Sequence, residues 1–477
     1  MPSNICKDSL QVLVDNIFRP KQPAKPQDSS LTMSRLLRNR TLMGAGLLIA
    51  CCCIISICLF TRVNKLHSFE QSLLLKQEPV VLVESHDASN PSPHLPPSAE
   101  SRIALLTERL LDTQNLQYYV YNNSVMEKTY TKEKLHQGHY KPLLAKRYRS
   151  FALTEVMYLE SLKQHRLRTH DPVEAKLYVI PLSTAAVLIQ PNAAVNYEEA
   201  FAALYATSTF QSTLGHRHVI MGLVLPIFSL PHARIMKSYG LSQHYQRLWN
   251  VTVANDMDPE EMRKIQNYTG DFRGSVTARK KFVTRSVFSV GLAATTSLPI
   301  ITPTLGKFQN ASFLIFYQTR TEPSVNNSTQ YRHAPLQEGV VESLPRSSIG
   351  FGLNATEWRA HYIDSKFCLI IRGDTPSTHA LLSSVRTGCI PVIICDLCSR
   401  YSPSFKSSLT IEDFAVTIDE NKFLQDPTGE LLKLQDVTLF EIEEKLKWLA
   451  YAQRITQPDH PRSLFVPAFV YESLKAQ

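Results

Sequence analysis

The stretch Ser365–Asp396, SKFCLIIRGDTPSTHALLSSVRTGCIPVIICD, reads in order as strand, anion-holding turn, helix and strand. Phe367–Ile371 is apolar without alternation, the pattern of a parallel strand buried on both faces. Arg372–Pro376 breaks that run. Ser377 or Thr378 can cap a helix that carries Ala380, Leu381, Leu382 and Val385 on a helical period and stops at Gly388. Cys389–Cys395 is the returning strand. A helix that starts directly after a strand end presents unpaired N–H groups and the positive end of its dipole. Here they lie beside Arg372 and the hydroxyls of Thr375, Ser377 and Thr378, so a diphosphate is the natural occupant.

On either side, strands and helices alternate in two blocks. Leu116–Tyr121, Leu177–Leu182, His218–Leu225 and Val287–Val290 are the expected strands of the first block, with a helix near Ala152–Lys163. Phe313–Tyr317 opens the second block. Phe414–Ile418 supplies another strand there, and Phe440–Arg454 is an amphipathic helix, acidic first and basic last. The expected fold is therefore α/β, two Rossmann-like lobes facing a cleft, at residues 115–305 and 306–477.

Two segments resemble the exostosin-like family of glycosyltransferases. The second lobe of that family carries a stretch of the type FCLxPxGDSxxSxRLFDAxxxGCIPVIxSD. This chain matches it at Phe367, Cys368, Leu369, Arg372, Gly373, Asp374, Pro376, Ser377, Leu381, Gly388, Cys389, Ile390, Pro391, Val392, Ile393 and Asp396. THDPVEAKLYVIPLS, Thr169–Ser183, is similar to the family pattern TxDPxxAxxFxVP of the first lobe. The resemblance implies a GT-B architecture and inverting transfer from a nucleotide sugar, expected to be UDP-linked, to a glycan. The family has Arg at the start of the helix after Ser377 and an acid one turn later. This chain has Thr378-His379-Ala380 and Ser383 there, so the alternative expectation is a non-catalytic subunit that supports or localises an active transferase, and a homodimer or a heterodimer with another glycosyltransferase is the expected assembly.

The ends of the chain carry a different signal. Thr41–Phe60 is twenty residues without a charge, long enough to cross a bilayer as one helix. Arg35, Arg38 and Arg40 before it, against Arg62 and Lys65 after it, place residues 1–40 in the cytoplasm and the remainder in a lumen. A type II Golgi membrane protein is the expectation. Residues 61–114 then form a stem, with Pro/Ser-rich Ser85–Glu100 as linker and helical patterns at His67–Lys76 and Ser101–Thr113, either solvated or paired in a dimer. The formal charge is +9, but residues 1–65 hold nine Lys/Arg against three Asp/Glu. Lipid head groups explain that excess and nucleic acid is not an expected partner. The sequons at Asn122, Asn250, Asn267, Asn310, Asn326, Asn327 and Asn354 all follow the span and are the expected glycosylation sites. Cys368, Cys389, Cys395 and Cys398 are the lumenal cysteines, for which a structural role is expected, paired or buried.

Glycosyl transfer needs a stabilised diphosphate leaving group and, for inversion, a base beside the acceptor hydroxyl. Arg372, Gly373, Asp374, Thr375, Ser377 and Thr378 are the expected donor contacts, and Glu420, which falls at the position of a family acid, would hold the ribose or base. Arg320 and Arg332 are further cations that could reach phosphate. For the base, GHRHV at Gly215–Val219 offers His216 and His218, and Glu155 falls where the family has an acid within a helix. Asp256-Met257-Asp258 has the spacing of a metal-binding acid pair. However, Asp258, Pro259, Glu260 and Glu261 read as a helix N-terminus, so no obligatory metal or other cofactor is expected.

Overall fold

The computed structural model describes residues 98–112, 116–127, 142–190, 193–223, 248, 250–255, 287–289, 298–319, 330–371, 379–394 and 405–477. Two all-parallel sheets organise them. The first holds β1 (Tyr118–Val120), β2 (Arg168–Thr169), β3 (Leu177–Ser183), β4 (His218–Met221), β5 (Thr252–Asn255) and β6 (Val287–Ser289), in the order β2-β1-β3-β4-β5-β6. The second holds β7 (Phe313–Thr319), β8 (Ser348–Phe351), β9 (Ser365–Ile371), β10 (Ile390–Ile394) and β11 (Val416–Ile418), in the order β11-β10-β9-β7-β8. Every residue of β3 and of β10 is buried, as expected for strands covered on both faces. β2, β5 and β8 are strands that the apolar runs did not announce. They are two to four residues long, and only their neighbours make them strands.

Both sheets have the doubly wound order 2-1-3-4-5, the first with a sixth strand added. In each, the winding direction reverses between the first and third strands, so the crevice that such folds offer to ligands opens at the C-terminal ends of β1 and β3 and of β7 and β9.

Residues 95–477 form one unit with a continuous core. One hydrophobic cluster runs from Val120, Val156 and Leu177 of the first lobe to Leu369, Val392 and Leu449 of the second. The last helix, Phe465–Lys475, contributes to that continuity: the Phe465 ring lies 4.4 Å from the ring of Tyr158, a residue of the helix Pro142–Gln164. The segment joining the sheets is held as firmly. Gln453 Nε2 donates to the carbonyls of Ile301 (2.7 Å), Val385 (2.8 Å) and Arg386 (3.2 Å), and Arg386 Nε donates to the Leu298 carbonyl (2.5 Å).

One stem expectation is corrected. The pattern at Ser101–Thr113 suits a solvated or dimerising stem, but the helix Ala99–Leu111 packs on the same unit as the sheets. Its stripe Ala99, Ile103, Leu106 and Leu110 lies against the core. Arg102 stacks over Trp448 at 4.7 Å and pairs with Asp413 at 3.0 Å, and Glu444 accepts from the Ala99 amide at 3.2 Å. The spacing that suits a coiled coil suits any helix covering an apolar groove, and here the groove belongs to the chain itself. The expected span at 41–60 and the rest of the stem lie outside the described residues. Among the described residues, no helix is long and apolar enough to cross a membrane.

Candidate functional site

At the switch point of the second sheet, β7 ends at Thr319 and β9 at Ile371, and the helix His379–Thr387 begins eight residues after β9. The expected donor contacts Arg372, Gly373, Asp374, Thr375, Ser377 and Thr378 fall in the chain between those two elements, outside the described residues, as does Arg320. The frame around them is fixed. Gly388 closes the helix at φ +66, and a Cβ on it would meet the Ile301 carbonyl oxygen at 2.8 Å, so only glycine allows the return strand to pass the inter-lobe segment this closely. Cys368 and Cys389 form a disulfide across that return, both fully buried. Cys395 and Cys398 lie outside the described residues. At the end of β11, Asp419 caps the helix Glu420–Gln425 by accepting from the Lys422 amide (2.8 Å), and Glu420 on its first turn is only 1% exposed. Glu420 is therefore a held carboxylate beside the second-lobe edge and not a solvated strand end. Arg332 is exposed, and its carbonyl accepts from the Tyr317 hydroxyl at 3.0 Å.

Glu155 dominates the corresponding edge of the first sheet. It lies inside the helix Pro142–Gln164 without exposed surface. Its Oε2 accepts from Ser183 Oγ (2.7 Å) and the Ala185 amide (2.8 Å), and its Oε1 accepts from Thr184 Oγ1 (2.9 Å) and the Leu223 amide (2.9 Å). Ser183 Oγ also accepts from the Ala186 amide (3.1 Å), capping the short helix Thr184–Ile189. Burial pushes the Glu155 carboxyl up to about 7, against the four donors that favour its ionised form.

His218 belongs to a different environment. It opens β4, at the strand end remote from the switch-point edge, and stacks on Tyr178 and Tyr121 at 4.9 and 5.7 Å with Phe210 edge-on at 5.0 Å. Nδ1 faces the His216 carbonyl at 2.9 Å and must carry the proton there, so Nε2 accepts from the Tyr121 hydroxyl at 2.6 Å. Burial takes this imidazole down to about 4 and keeps it neutral.

These placements correct the expectation for the base. Both nitrogens of His218 and both oxygens of Glu155 are engaged within the fold, neither residue has exposed surface, and they lie on opposite faces of the first sheet. For either to take a proton from a substrate, a polar atom would first have to leave a buried partner. His216 is exposed.

Asp256 and Asp258 lie outside the described residues. Among the described residues, no group of three His, Cys, Asp or Glu side chains is arranged to hold a metal ion. Of the sequon asparagines, Asn122, Asn310 and Asn354 are exposed. Asn250 is half-buried and donates its amide to the Leu214 carbonyl at 3.0 Å. Asn267, Asn326 and Asn327 lie outside the described residues.

Sequence reasoning missed Ser183 and Thr184, although a Ser-Thr pair closing an apolar run is a helix-cap signal. It also missed Arg386, a buried guanidinium whose bidentate pair with half-exposed Asp459, 2.7 Å at each oxygen, joins the helix end to a segment seventy-three residues away.

The family model "Exostosin GT47 domain" matches residues 112–433. No curated protein matches the chain.

Proposed function

The chain belongs to the exostosin GT47 family of glycosyltransferases, and on that premise we propose that it transfers a sugar from a UDP-linked donor to a glycan acceptor with inversion. In this reading the acceptor hydroxyl oxygen attacks the anomeric carbon from the face opposite the diphosphate. The bond from that carbon to the phosphate oxygen breaks, its electron pair leaves with UDP, and the hydroxyl proton passes to a base or solvent. The donor residues proposed are Arg372, Gly373, Asp374, Thr375, Ser377 and Thr378, with Glu420 for the ribose or base.

The observation that carries this reading is the second sheet's topology. The chain segment with the diphosphate-binding composition leaves β9 at the sheet's switch point, and the buried carboxylate of Glu420 follows β11 on the same edge. The buried disulfide Cys368–Cys389 and the exposed sequons Asn122, Asn310 and Asn354 support a lumenal domain, which the proposed type II Golgi topology would provide.

One observation favours a second reading, a non-catalytic subunit: His379 and Ser383 stand where the family pattern has Arg and an acid. Calorimetric titration of the whole chain with UDP separates the two. Binding that Arg372→Ala abolishes supports the transferase, and no binding of any nucleotide to folded protein supports the subunit. A chelator that removes activity would support metal binding at Asp256 and Asp258.

A further inference from the structure

Every hydrogen bond of the Glu155 carboxylate leads to one edge of the first sheet. Ser183 closes β3, Thr184 and Ala185 open the helix that follows it, and Leu223 stands two residues beyond β4. In an all-parallel sheet these are C-terminal strand ends, and the β1/β3 switch point lies among them. A single side chain on the covering helix therefore sets the relative positions of the segments that border the first-lobe crevice. Its four acceptor positions meet two hydroxyls and two backbone amides, all uncharged. An apolar core residue would fill the same space without the desolvation that a buried carboxylate incurs. The costly group is found at the edge where the topology directs a ligand.

We propose that Glu155 is a positioning residue for acceptor binding: it touches no substrate but fixes Ser183–Ala185 and Leu223, themselves buried, and through them the C-terminal strand edge of the first lobe that borders the acceptor. This rests on the glycosyltransferase reading above.

The test uses the full chain and the variants Glu155→Gln, Glu155→Asp and Thr184→Val. UDP titrated by calorimetry reports on the second lobe, and a panel of tritiated UDP-sugars offered with an oligosaccharide library reports on transfer. The expected result is UDP binding within about twofold of wild type in all variants, with transfer by Glu155→Gln reduced by about a hundredfold and the acceptor KM raised, as a displacement of about 1 Å produces. Thr184→Val, which removes one of the four donors, should lose less. Wild-type transfer should also follow an ionisation near 7 that Glu155→Gln lacks. Unchanged transfer by Glu155→Gln, or loss of UDP binding and transfer in parallel with loss of folded protein, would overturn the proposal. Wild-type protein that binds no UDP would overturn the transferase reading, and this inference with it.

Discussion

Two buried groups in the first lobe should pull the stability of this protein in opposite directions with pH, and removing either should expose the other. Glu155 is displaced from an ordinary 4.5 to about 7, chiefly by burial. The folded state therefore holds a proton that the unfolded chain has released. The stabilisation is complete below 4.5 and is lost as pH rises through 7. His218 is displaced from 6.5 to about 4, again chiefly by burial. Here the unfolded chain takes the proton first, so stability falls as pH drops from 6.5 towards 4. Each displacement corresponds to about 3 kcal/mol, with no solvent screening because neither residue is exposed. The windows nearly coincide, so in wild type the two contributions offset. In His218→Gln, stability should rise by about 3 kcal/mol between pH 7.5 and 4.5, relative to wild type. In Glu155→Gln it should fall by about the same amount. Urea unfolding at half-unit pH intervals, followed through the fluorescence of Trp358 and Trp448, measures both slopes. Each substitution also shifts the baseline, so only the change with pH counts. Parallel pH profiles for wild type and both variants would refute the reasoning, because they would mean that neither group is held away from its ordinary titration.

Two further outcomes follow from the second lobe. Arg386→Met should destabilise by about 3 kcal/mol, by orphaning the Leu298 carbonyl and breaking the pair with Asp459. Asp459→Asn should cost less, since that carboxyl is half exposed, and a double-mutant cycle that finds the two effects additive would exclude the pairing. Replacing Cys368 and Cys389 by Ala should lower stability by about 3 kcal/mol, the loop-closure value for a bridge of sequence separation 21, and make the midpoint insensitive to reductant. A wild-type midpoint that is itself unmoved by reductant would contradict the bridge.

Much of the fold was legible locally. Uninterrupted apolar runs announced β3, β9 and β10, because a parallel strand covered on both faces has no polar side to show. Gly388 announced the helix end, and Thr438 with Glu441 forms a capping box that opens the helix Leu439–Thr456. These are properties of a few neighbouring residues, and they were enough to place two α/β blocks and the segment that matches the family. Tertiary structure decided what those neighbours cannot encode. Cys368, Cys389, Cys395 and Cys398 allow three complete pairings, and Cys368 meets Cys389 because β9 and β10 lie side by side. The stripe on Ala99–Leu111 fits a partner helix as well as the chain's own groove, and the contacts with Trp448 and Asp413 settle it. Glu155 follows Thr154 inside an otherwise apolar helix stretch and His218 ends the run His216-Arg217-His218 before an apolar strand, placements shared by catalysts and by satisfied core groups. Their hydrogen-bond partners lie up to ninety-seven residues away in sequence, so only the folded chain could assign one to the sheet edge and the other to the core.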